Sequence, residues 1–309
     1  MIKKITLLIN LIALIFTCPA YAEWQSLKPM PTPRSEMSAG LLDNKIYVPG
    51  GLGGPQIFQA YDLTTDVWQT LAPLPQGRHH LMTVVYNDKV YVFGGGDDNW
   101  QPTKFAWVYD PQTDQWQTLS AMPESRYAGA AVKSGDFIYI VGGTGPTGKT
   151  LRYNPKQDSW MVLNSTHQRR EHIAAVVVKG KVMVIGGRYR GVGELHSTEI
   201  YDPNKDEWQQ GPKLNKARGG HAAVMYQGMV MVFGGEIIMH GRKEVLLDSE
   251  RLDSLSGQWR KSWDLPLALH GMPAVSYKQD LYILGGSERA GDIVNRGRVY
   301  RYSEVADFE

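Results

Sequence analysis

The segment IYVPGG (residues 46–51) is an apolar run that contains β-branched and aromatic residues and ends in a glycine pair. Such a run, stopped by glycine, is typical of a buried β-strand and its exit turn. The same pattern recurs in VYVFGG (90–95), IYIVGG (138–143), VMVIGG (182–187), VMVFGG (230–235) and LYILGG (281–286). The chain is therefore predicted to consist of six repeated units, each a supersecondary motif that needs its neighbours to bury a core.

Further markers keep a constant distance from the glycine pairs. Five tryptophans each follow an Asp or Asn by six residues, and an Arg or Leu follows each tryptophan by ten. These tryptophans are Trp68, Trp116, Trp160, Trp208 and Trp259. Only the step from the second glycine to the Asp or Asn varies, between 11 and 18 residues. The pattern predicts four strands per unit, with a loop of variable length between the second and third strands, where repeat proteins often place binding residues.

The Gly-Gly pairs, the Tyr-Asp-Pro turns of YDPQTDQW (109–116) and YDPNKDEW (201–208), and the spaced tryptophans resemble the kelch family of β-propellers. The resemblance implies an all-β fold, a six-bladed kelch β-propeller with four antiparallel strands per blade. A radial arrangement of this kind leaves only short, protected sheet edges. It does not imply one function, because kelch propellers include enzymes, glycan-binding proteins and protein-binding adaptors.

The stretch EWQSLKPMPTPR (23–34) places Trp24 ten residues before Arg34, the spacing found in the repeats. The sixth unit, by contrast, reaches Glu309 six residues after Ser303, where its own tryptophan is expected. We therefore predict that residues 23–29 supply the fourth strand of the last blade, residues 270–303, and close the ring. Residues 23–309 would then form a single propeller domain.

Residues 1–22 have the features of a secretory signal peptide. A basic MIKK segment precedes an apolar run, and Ala20-Tyr21-Ala22 is a small-residue cleavage site. We expect cleavage after Ala22 and a periplasmic or secreted protein. The one cysteine, Cys18, is lost with this segment, so the mature chain is expected to have no disulfide and no thiolate nucleophile.

The charge of the mature chain limits its partners. Without Lys3 and Lys4, the Lys and Arg residues fall from 33 to 31, which equals the 31 Asp and Glu residues. A nucleic-acid partner is not expected, because such binding needs a basic surface. No segment after residue 22 is apolar enough to predict a membrane span.

Five arginines occupy equivalent positions just before the first strand of a unit: Arg34, Arg78, Arg126, Arg170 and Arg218. The sixth position holds Leu269, which is followed by His270. Two interpretations are open. By the kelch resemblance, the arginines line the mouth of the central channel and bind carboxylates. Alternatively, each arginine ties a turn to backbone carbonyls or to a neighbouring acid.

Several histidines fall in the same zone: His79, His80, His172, His221 and His270. Adjacent residues of a strand face opposite sides, so His79 and His80 should not both point inward. We predict no metal site and no cofactor, and we expect these rings to hydrogen-bond at the channel mouth or to pack between blades.

The variable loops supply further candidate residues. Trp100 in GDDNWQPTKFAW (96–107) suits stacking on a sugar ring, and it equally suits capping the loop. Arg188 and Tyr189 open the loop RYRGVGELHST (188–198) and are candidate ligand-binding residues.

The segment GGEIIMHGRKEV (234–245) places Glu236 directly after a glycine pair and Arg242 six residues later. This spacing is similar to that of the catalytic pair in the N-acetylneuraminate epimerases, or sialate mutarotases, a group of exported bacterial kelch proteins. The resemblance implies a catalytic role for Glu236 as a proton shuttle and for Arg242 as the residue that holds the sugar carboxylate. Such a reaction needs no cofactor.

Three functions are consistent with these features. The first is binding of an acidic ligand, either a sugar acid or a carboxylate-bearing protein loop, over the channel mouth. The second is a cofactor-independent sugar mutarotase that uses Glu236 and Arg242. The third is a structural protein-interaction module of the cell envelope. Galactose oxidase, another kelch enzyme, needs a cysteine in its copper site, so its chemistry is excluded for a mature chain without cysteine.

Overall fold

The computed structural model describes residues 23–291 and 295–303, so the predicted signal peptide lies outside the described residues. Within them, antiparallel strands form six four-stranded sheets, which are the blades of a propeller. The resemblance to kelch propellers therefore predicted the fold correctly. Over the same residues, no helix is long and apolar enough to cross a membrane.

The strands follow the predicted order, and each blade begins at the central channel. Blades one to three contain β2 (Gly40–Leu42), β3 (Lys45–Pro49), β4 (Phe58–Asp62) and β5 (Val67–Thr70); β6 (Met82–Tyr86), β7 (Lys89–Phe93), β8 (Ala106–Asp110) and β9 (Gln115–Thr118); and β10 (Tyr127–Ser134), β11 (Phe137–Thr144), β12 (Lys149–Asn154) and β13 (Ser159–Ser165).

The last three blades have the same order. They contain β14 (Ala174–Val178), β15 (Lys181–Ile185), β18 (Thr198–Asp202) and β19 (Glu207–Gln210); β20 (Ala222–Tyr226), β21 (Met229–Phe233), β24 (Ser249–Leu252) and β25 (Trp259–Lys261); and β26 (Ala274–Tyr277), β27 (Asp280–Leu284), β28 (Val299–Ser303) and β1 (Glu23–Leu27). Two of the variable loops form short hairpins: β16 (Arg188–Tyr189) with β17 (Gly193–Glu194), and β22 (Glu236–Ile237) with β23 (Glu244–Val245), the latter around a 3₁₀ turn, Met239–Gly241.

The N-terminal strand closes the ring, as the Trp24 spacing predicted. Strand β1 pairs with β28 in antiparallel register, with Trp24 opposite Tyr302. The Trp24 indole donates a hydrogen bond of 2.9 Å to the carbonyl of Asp264 in blade five. The other five repeat tryptophans also donate to a backbone carbonyl of the preceding blade, at 2.8–3.2 Å. Trp24 thus completes a circle of equivalent contacts between blades.

A second circle of hydrogen bonds runs around the channel mouth. We call the five arginines that precede the first strand of a unit the ring arginines. The circle involves the residue two positions after each ring arginine and after Leu269. These residues are Glu36, His80, Ala128, His172, Gly220 and Gly271. All six have φ between 49° and 64°. From blades two to six, each amide donates to the equivalent carbonyl one blade earlier, and the amide of Met37 closes the circle on Gly271, with distances of 2.7–3.3 Å. The mouth is therefore a rigid belt of backbone that presents six side-chain positions.

The apolar core is divided among the junctions between blades. Six buried clusters each combine residues of two adjacent blades, as where Phe93 of blade two packs near Tyr153 of blade three. No blade buries both its faces alone, which is the reason that the ring must be closed.

The substitution Trp24→Ala should test the closing strand. The indole packs at 5.3 Å from Tyr302 and 6.2 Å from Phe233, between ring centroids. We expect the free energy of unfolding in urea to fall by about 2 kcal/mol or more, because a large aromatic contact and an interblade hydrogen bond are both lost. The control Leu255→Ala removes a side chain that is 97% exposed and should leave stability unchanged. Equal stability of both variants would contradict closure by residues 23–27.

Candidate functional site

The channel mouth carries a closed circuit of seven ionisable side chains. Glu36 lies 3.1 Å from both His80 and His270, and the Nε2 atoms of His80 and His172 lie 3.1 Å apart. The circuit continues from His172 to Glu171 at 3.5 Å and from Glu171 to Arg188 at 3.4 Å. It returns through Glu236, which is 2.7 Å from Arg188 and 3.6 Å from His270.

The belt explains why these groups meet. Glu36, His80 and His172 occupy its equivalent positions in blades one, two and four, so their side chains converge on the channel axis. Arg188 and Glu236 come directly after the glycine pairs of blades four and five, and His270 comes just before the belt residue of blade six. Residues far apart in the chain therefore form one buried network.

The charge state of the network follows from its contacts. Burial alone would raise the pKa of Glu36, but His80 and His270 hold it well below its usual range. Burial likewise opposes ionisation of Glu171, yet His172, Thr144 and Arg188 lower its pKa to about 2. Both carboxylates are therefore ionised at neutral pH.

The pKa values of the histidines at the mouth shift in opposite directions. Burial would lower the pKa of His270, but its contacts with Glu36 and Glu236 raise it. Burial lowers the pKa of His79 to about 4, with the neighbouring His80 as a second cause, and burial together with Arg188 lowers that of His172. His79 and His80 are in contact, with Nδ1 atoms 2.6 Å apart, and His80 has φ 53°. The strand alternation used to separate them does not apply, because His80 lies in the belt and not in a strand.

The contacts of the ring arginines bear on the two interpretations given above. Arg34, Arg126, Arg170 and Arg218 are almost fully buried, and Nη1 of each donates to the carbonyl of the first glycine of its own blade, at 2.6–3.0 Å. These contacts favour the interpretation that the four arginines tie turns to backbone carbonyls and neighbouring acids, because their guanidiniums are already engaged by such groups. One example is the ion pair of 2.6 Å between Arg170 and Glu199.

Arg78 departs from this pattern. Its guanidinium lies over the ring of Phe105 at 4.8 Å, and its hydrogen bonds go to the neighbouring Gly77 and Gln76. It is 9% exposed and is also bound within its own blade, so it does not offer a free cation to a ligand.

The proposed catalytic pair is not brought together. Glu236 is 2% exposed and is bound to Arg188 and to the amide of Gly291 at 2.9 Å. The side chain of Arg242 is 59% exposed and forms an ion pair with Glu244 at 2.5 Å. Arg188, not Arg242, is therefore the arginine that accompanies Glu236.

A cavity of about 580 Å³ opens beside the circuit, between the loops of blades three, four and five. Its lining includes Tyr127, Arg169, Arg188, Tyr189 and Arg190. The guanidinium of Arg169 lies 6.0 Å from the centre of the Tyr189 ring and donates a hydrogen bond to the carbonyl of Gly145. The predicted ligand-binding residues Arg188 and Tyr189 thus lie together on one wall.

Trp100, in the loop of blade two, covers two of the histidines. Its ring is 4.5 Å from that of His79 and 5.5 Å from that of His80, and the residue is 47% exposed. This position fits the capping interpretation, and it leaves one edge of the indole accessible.

Sequence reasoning did not identify Glu36, Glu171 or Arg169 as site residues. The belt position reads Glu, His, Ala, His, Gly and Gly around the ring, so it is constant in conformation and variable in chemistry. That variation was the available signal, because a position that changes between otherwise equivalent units is a candidate for function rather than for scaffold.

The comparisons with known proteins agree with this architecture. The family described as the Attractin/LZTR1 β-propeller matches residues 53–286. Among solved structures, YjhT is similar with a TM-score of 0.80 over 92% of this chain and 98% of YjhT, at 16% sequence identity. At that identity the likeness concerns the fold. Comparison with curated proteins gives no match.

Arg169 and Arg170 are neighbours in sequence with opposite environments, which gives a matched pair of variants. We expect Arg170→Ala to lower the free energy of unfolding by about 3–5 kcal/mol, because it leaves the buried Glu199 carboxylate without its cation. Arg169→Ala should change stability by less than about 0.5 kcal/mol, since Arg169 is exposed. Chemical denaturation measures both, and similar losses would contradict the assignment of the ring arginines to the scaffold.

The pH dependence of stability should depend on His221. Burial, with Arg218 as a second cause, lowers the pKa of this channel-lining ring to about 3. Between about pH 6.5 and 3 the unfolded chain therefore binds a proton that the folded chain does not, so stability falls as the pH falls.

We expect His221→Gln to reduce the loss of unfolding free energy between pH 7 and pH 5 by about 2 kcal/mol relative to wild type. His196→Gln, at an exposed position, is the control and should preserve the wild-type slope. If His221→Gln has the wild-type slope, the ring is protonated in the folded state as well.

Proposed function

The chain belongs to the Attractin/LZTR1 β-propeller family, and we propose that it is an exported kelch-type propeller that binds a carboxylate-bearing ligand at the channel mouth. The binding site is the cavity lined by Arg169, Arg188, Tyr189 and Arg190. A sugar acid is the ligand that we favour, and an acidic segment of a protein is the alternative source of the same carboxylate. Export follows from the predicted signal peptide and would place the protein in the periplasm or outside the cell.

The observation that carries the proposal is the surplus of positive charge in this cavity. Arg188 is already neutralised by Glu236 and Glu171. Arg190 has no hydrogen bond or ion pair to any residue within 23–291 and 295–303, and Arg169 is bound to a carbonyl and not to a carboxylate. Two guanidiniums without carboxylate partners on one wall suit bidentate recognition of an acid.

The size and the lining of the cavity favour a small molecule. A volume of about 580 Å³ lies in the range of small-ligand sites, which are typically about 300–1,000 Å³. Tyr127 and Tyr189 add aromatic faces of the kind that pack against sugar rings. An acidic protein loop would fill the same space with one side chain and would need further contacts on the rim.

A second candidate function is a sugar mutarotase. The observation in its favour is that Glu236 is paired with Arg188, which lines the cavity, and is 3.6 Å from His270, so an acid, a base and an anion-binding group lie close together. Against it, the carboxylate of Glu236 is buried and already bound by Arg188 and the amide of Gly291. We therefore rank binding above catalysis.

Calorimetric titration with sialic acid and with galacturonate should show binding that neutral galactose does not show. We expect Arg190→Ala and Arg169→Ala each to weaken the binding of the acids at least about tenfold, because each removes a charged hydrogen bond, typically about 1.5–3 kcal/mol.

Arg260→Ala is the matched control, since Arg260 is exposed and its partner is Asp253. This variant should bind as wild type does. Equal binding of galactose and the acids, or wild-type affinity in both Arg169→Ala and Arg190→Ala, would contradict the proposal. Failure of every acid, small or peptidic, to bind would favour the third function, a structural interaction module.

Proton NMR of freshly dissolved sialic acid separates the two candidate functions. We expect the protein at micromolar concentration to leave the rate of anomer exchange unchanged, because both oxygens of Glu236 are engaged. Acceleration that disappears in Glu236→Gln and persists in Arg242→Ala would instead establish a mutarotase with Arg188 as the partner of Glu236.

A further inference from the structure

The three belt side chains Glu36, His80 and His172 converge on one point beneath the mouth. The Nε2 atoms of His80 and His172 are 3.1 Å apart, and Oε2 of Glu36 is 3.1 Å from Nε2 of His80. One ligand atom from each residue lies within 4.8 Å of the other two. All three residues are buried or nearly so, and all three line the central channel.

The positions of the ring protons make this convergence unusual. Nε2 of His79 is 3.0 Å from the carbonyl oxygen of Asp97, which can only accept, so that nitrogen carries the proton of the neutral ring. Nδ1 of His79 is therefore an acceptor, and it lies 2.6 Å from Nδ1 of His80. A proton of His80 is then on Nδ1, so in the neutral ring Nε2 carries a lone pair although it faces the Glu36 carboxylate at 3.1 Å; that nitrogen therefore needs either a second proton or a metal ion.

Nε2 of His172 also carries a lone pair in the neutral ring, for a different reason. Its Nδ1 lies 3.5 Å from the carboxylate of Glu171, which favours a proton on that nitrogen. Its Nε2 then also carries a lone pair and faces that of His80. With both rings neutral, two imidazole lone pairs and a carboxylate oxygen face one another in a buried space, an arrangement that either a proton or a metal ion between them would stabilise.

We propose that Glu36, His80 and His172 form a binding site for a divalent transition-metal ion of the zinc class. Two imidazoles and one carboxylate are a common ligand set for zinc with an open fourth position. Zinc–nitrogen bonds of about 2.0–2.1 Å in a tetrahedron place two nitrogens about 3.3 Å apart, close to the 3.1 Å between His80 and His172. The proposal departs from our sequence-based prediction of no metal.

The surroundings are those of a supported metal site. Nδ1 of His79 contacts the outer nitrogen of His80 at 2.6 Å, and the Glu171 carboxylate lies 3.5 Å from that of His172, the places that outer-shell partners take around zinc. The network also has three carboxylates, Glu36, Glu171 and Glu236, against two cations, the guanidinium of Arg188 and the ring of His270, so a negative charge remains for a bound cation to neutralise.

The backbone at the three ligands is left-handed, as it is throughout the belt. Glu36, His80 and His172 have φ of 49°, 53° and 51°, Ala128 of blade three has φ 54°, and blades five and six use glycine at the same position. The conformation is therefore a property of the belt, which carries the three side chains to neighbouring positions around the channel.

A second triad, Glu36, Glu236 and His270, is also compact but does not need an ion. Nδ1 of His270 faces Glu36 at 3.1 Å and its Nε2 faces the carbonyl of Arg289 at 3.0 Å, so both nitrogens donate and the ring itself is the cation. The two triads therefore make opposite predictions for the same experiment.

The test is titration of the EDTA-treated, dialysed protein with Zn²⁺ by calorimetry and with Co²⁺ by visible absorption. We expect one ion per chain and a cobalt spectrum typical of tetrahedral coordination. His80→Gln and His172→Gln should each weaken Zn²⁺ binding by well over tenfold, and His79→Gln by about tenfold through its outer-shell contact. His270→Gln should bind at least as tightly as wild type, because a competing cation is removed.

Near-UV circular dichroism shows whether each variant is folded, and the wild-type titrations need no variant. Absence of Zn²⁺ and Co²⁺ binding to wild type would overturn the proposal. It would mean that a proton, and not a metal ion, lies between His80, His172 and Glu36. Binding that survives in folded His80→Gln and His172→Gln, or that is lost in His270→Gln, would also overturn it.

Discussion

The propeller depends on one contact that joins each blade to the next at its glycine pair. The amide of the second glycine donates to the carbonyl of the arginine, or of Leu269, that begins the following blade, at 2.8–3.0 Å in all six places. At Gly50 the same carbonyl, that of Arg78, would lie 2.4 Å from an added Cβ, and the backbone has φ 55°. Glycine is required there because another blade's backbone occupies the space of a side chain.

The arginine side chain completes this junction from the other direction. In four blades its guanidinium returns to the carbonyl of the first glycine in its own blade, so one residue serves two glycine pairs. The geometry of the mouth is then fixed by backbone alone, through the belt of six left-handed residues. Since the belt does not depend on side-chain identity, Glu36, His80 and His172 can be used for chemistry without weakening the ring.

The sequence predicted the fold because its signals are local and repeated. The glycine pairs, the tryptophans and the spacing of Trp24 each correspond to one interblade contact. The number of blades, the strand order and the closure of the ring could therefore all be predicted. The lining of the candidate cavity was predicted only in part. Arg188 and Tyr189 do line the cavity, but the ring arginines recur in five units because they are scaffold.

The convergence of Glu36, His80 and His172 could not be predicted from the sequence. His80 follows Glu36 by 44 positions and His172 follows His80 by 92, and strand alternation does not apply to a left-handed belt. The pairing of Glu236 with Arg188 across two blades was hidden for the same reason, and the six-residue spacing to Arg242 suggested a nearer partner. Local spacing identifies the scaffold residues that repeat in every unit. It does not predict which side chains of different blades come into contact in the closed propeller.

A crystal structure of the protein soaked with a sugar acid would test the central claim that the scaffold arginines are closed to ligand and the cavity arginines are open. We predict density for the sugar in the cavity, with its carboxylate bound by Arg169 and Arg190, while Arg34, Arg126, Arg170 and Arg218 keep their bonds to the glycine carbonyls. A carboxylate bound by any of those four ring arginines, or a sugar bound away from the cavity, would contradict the account.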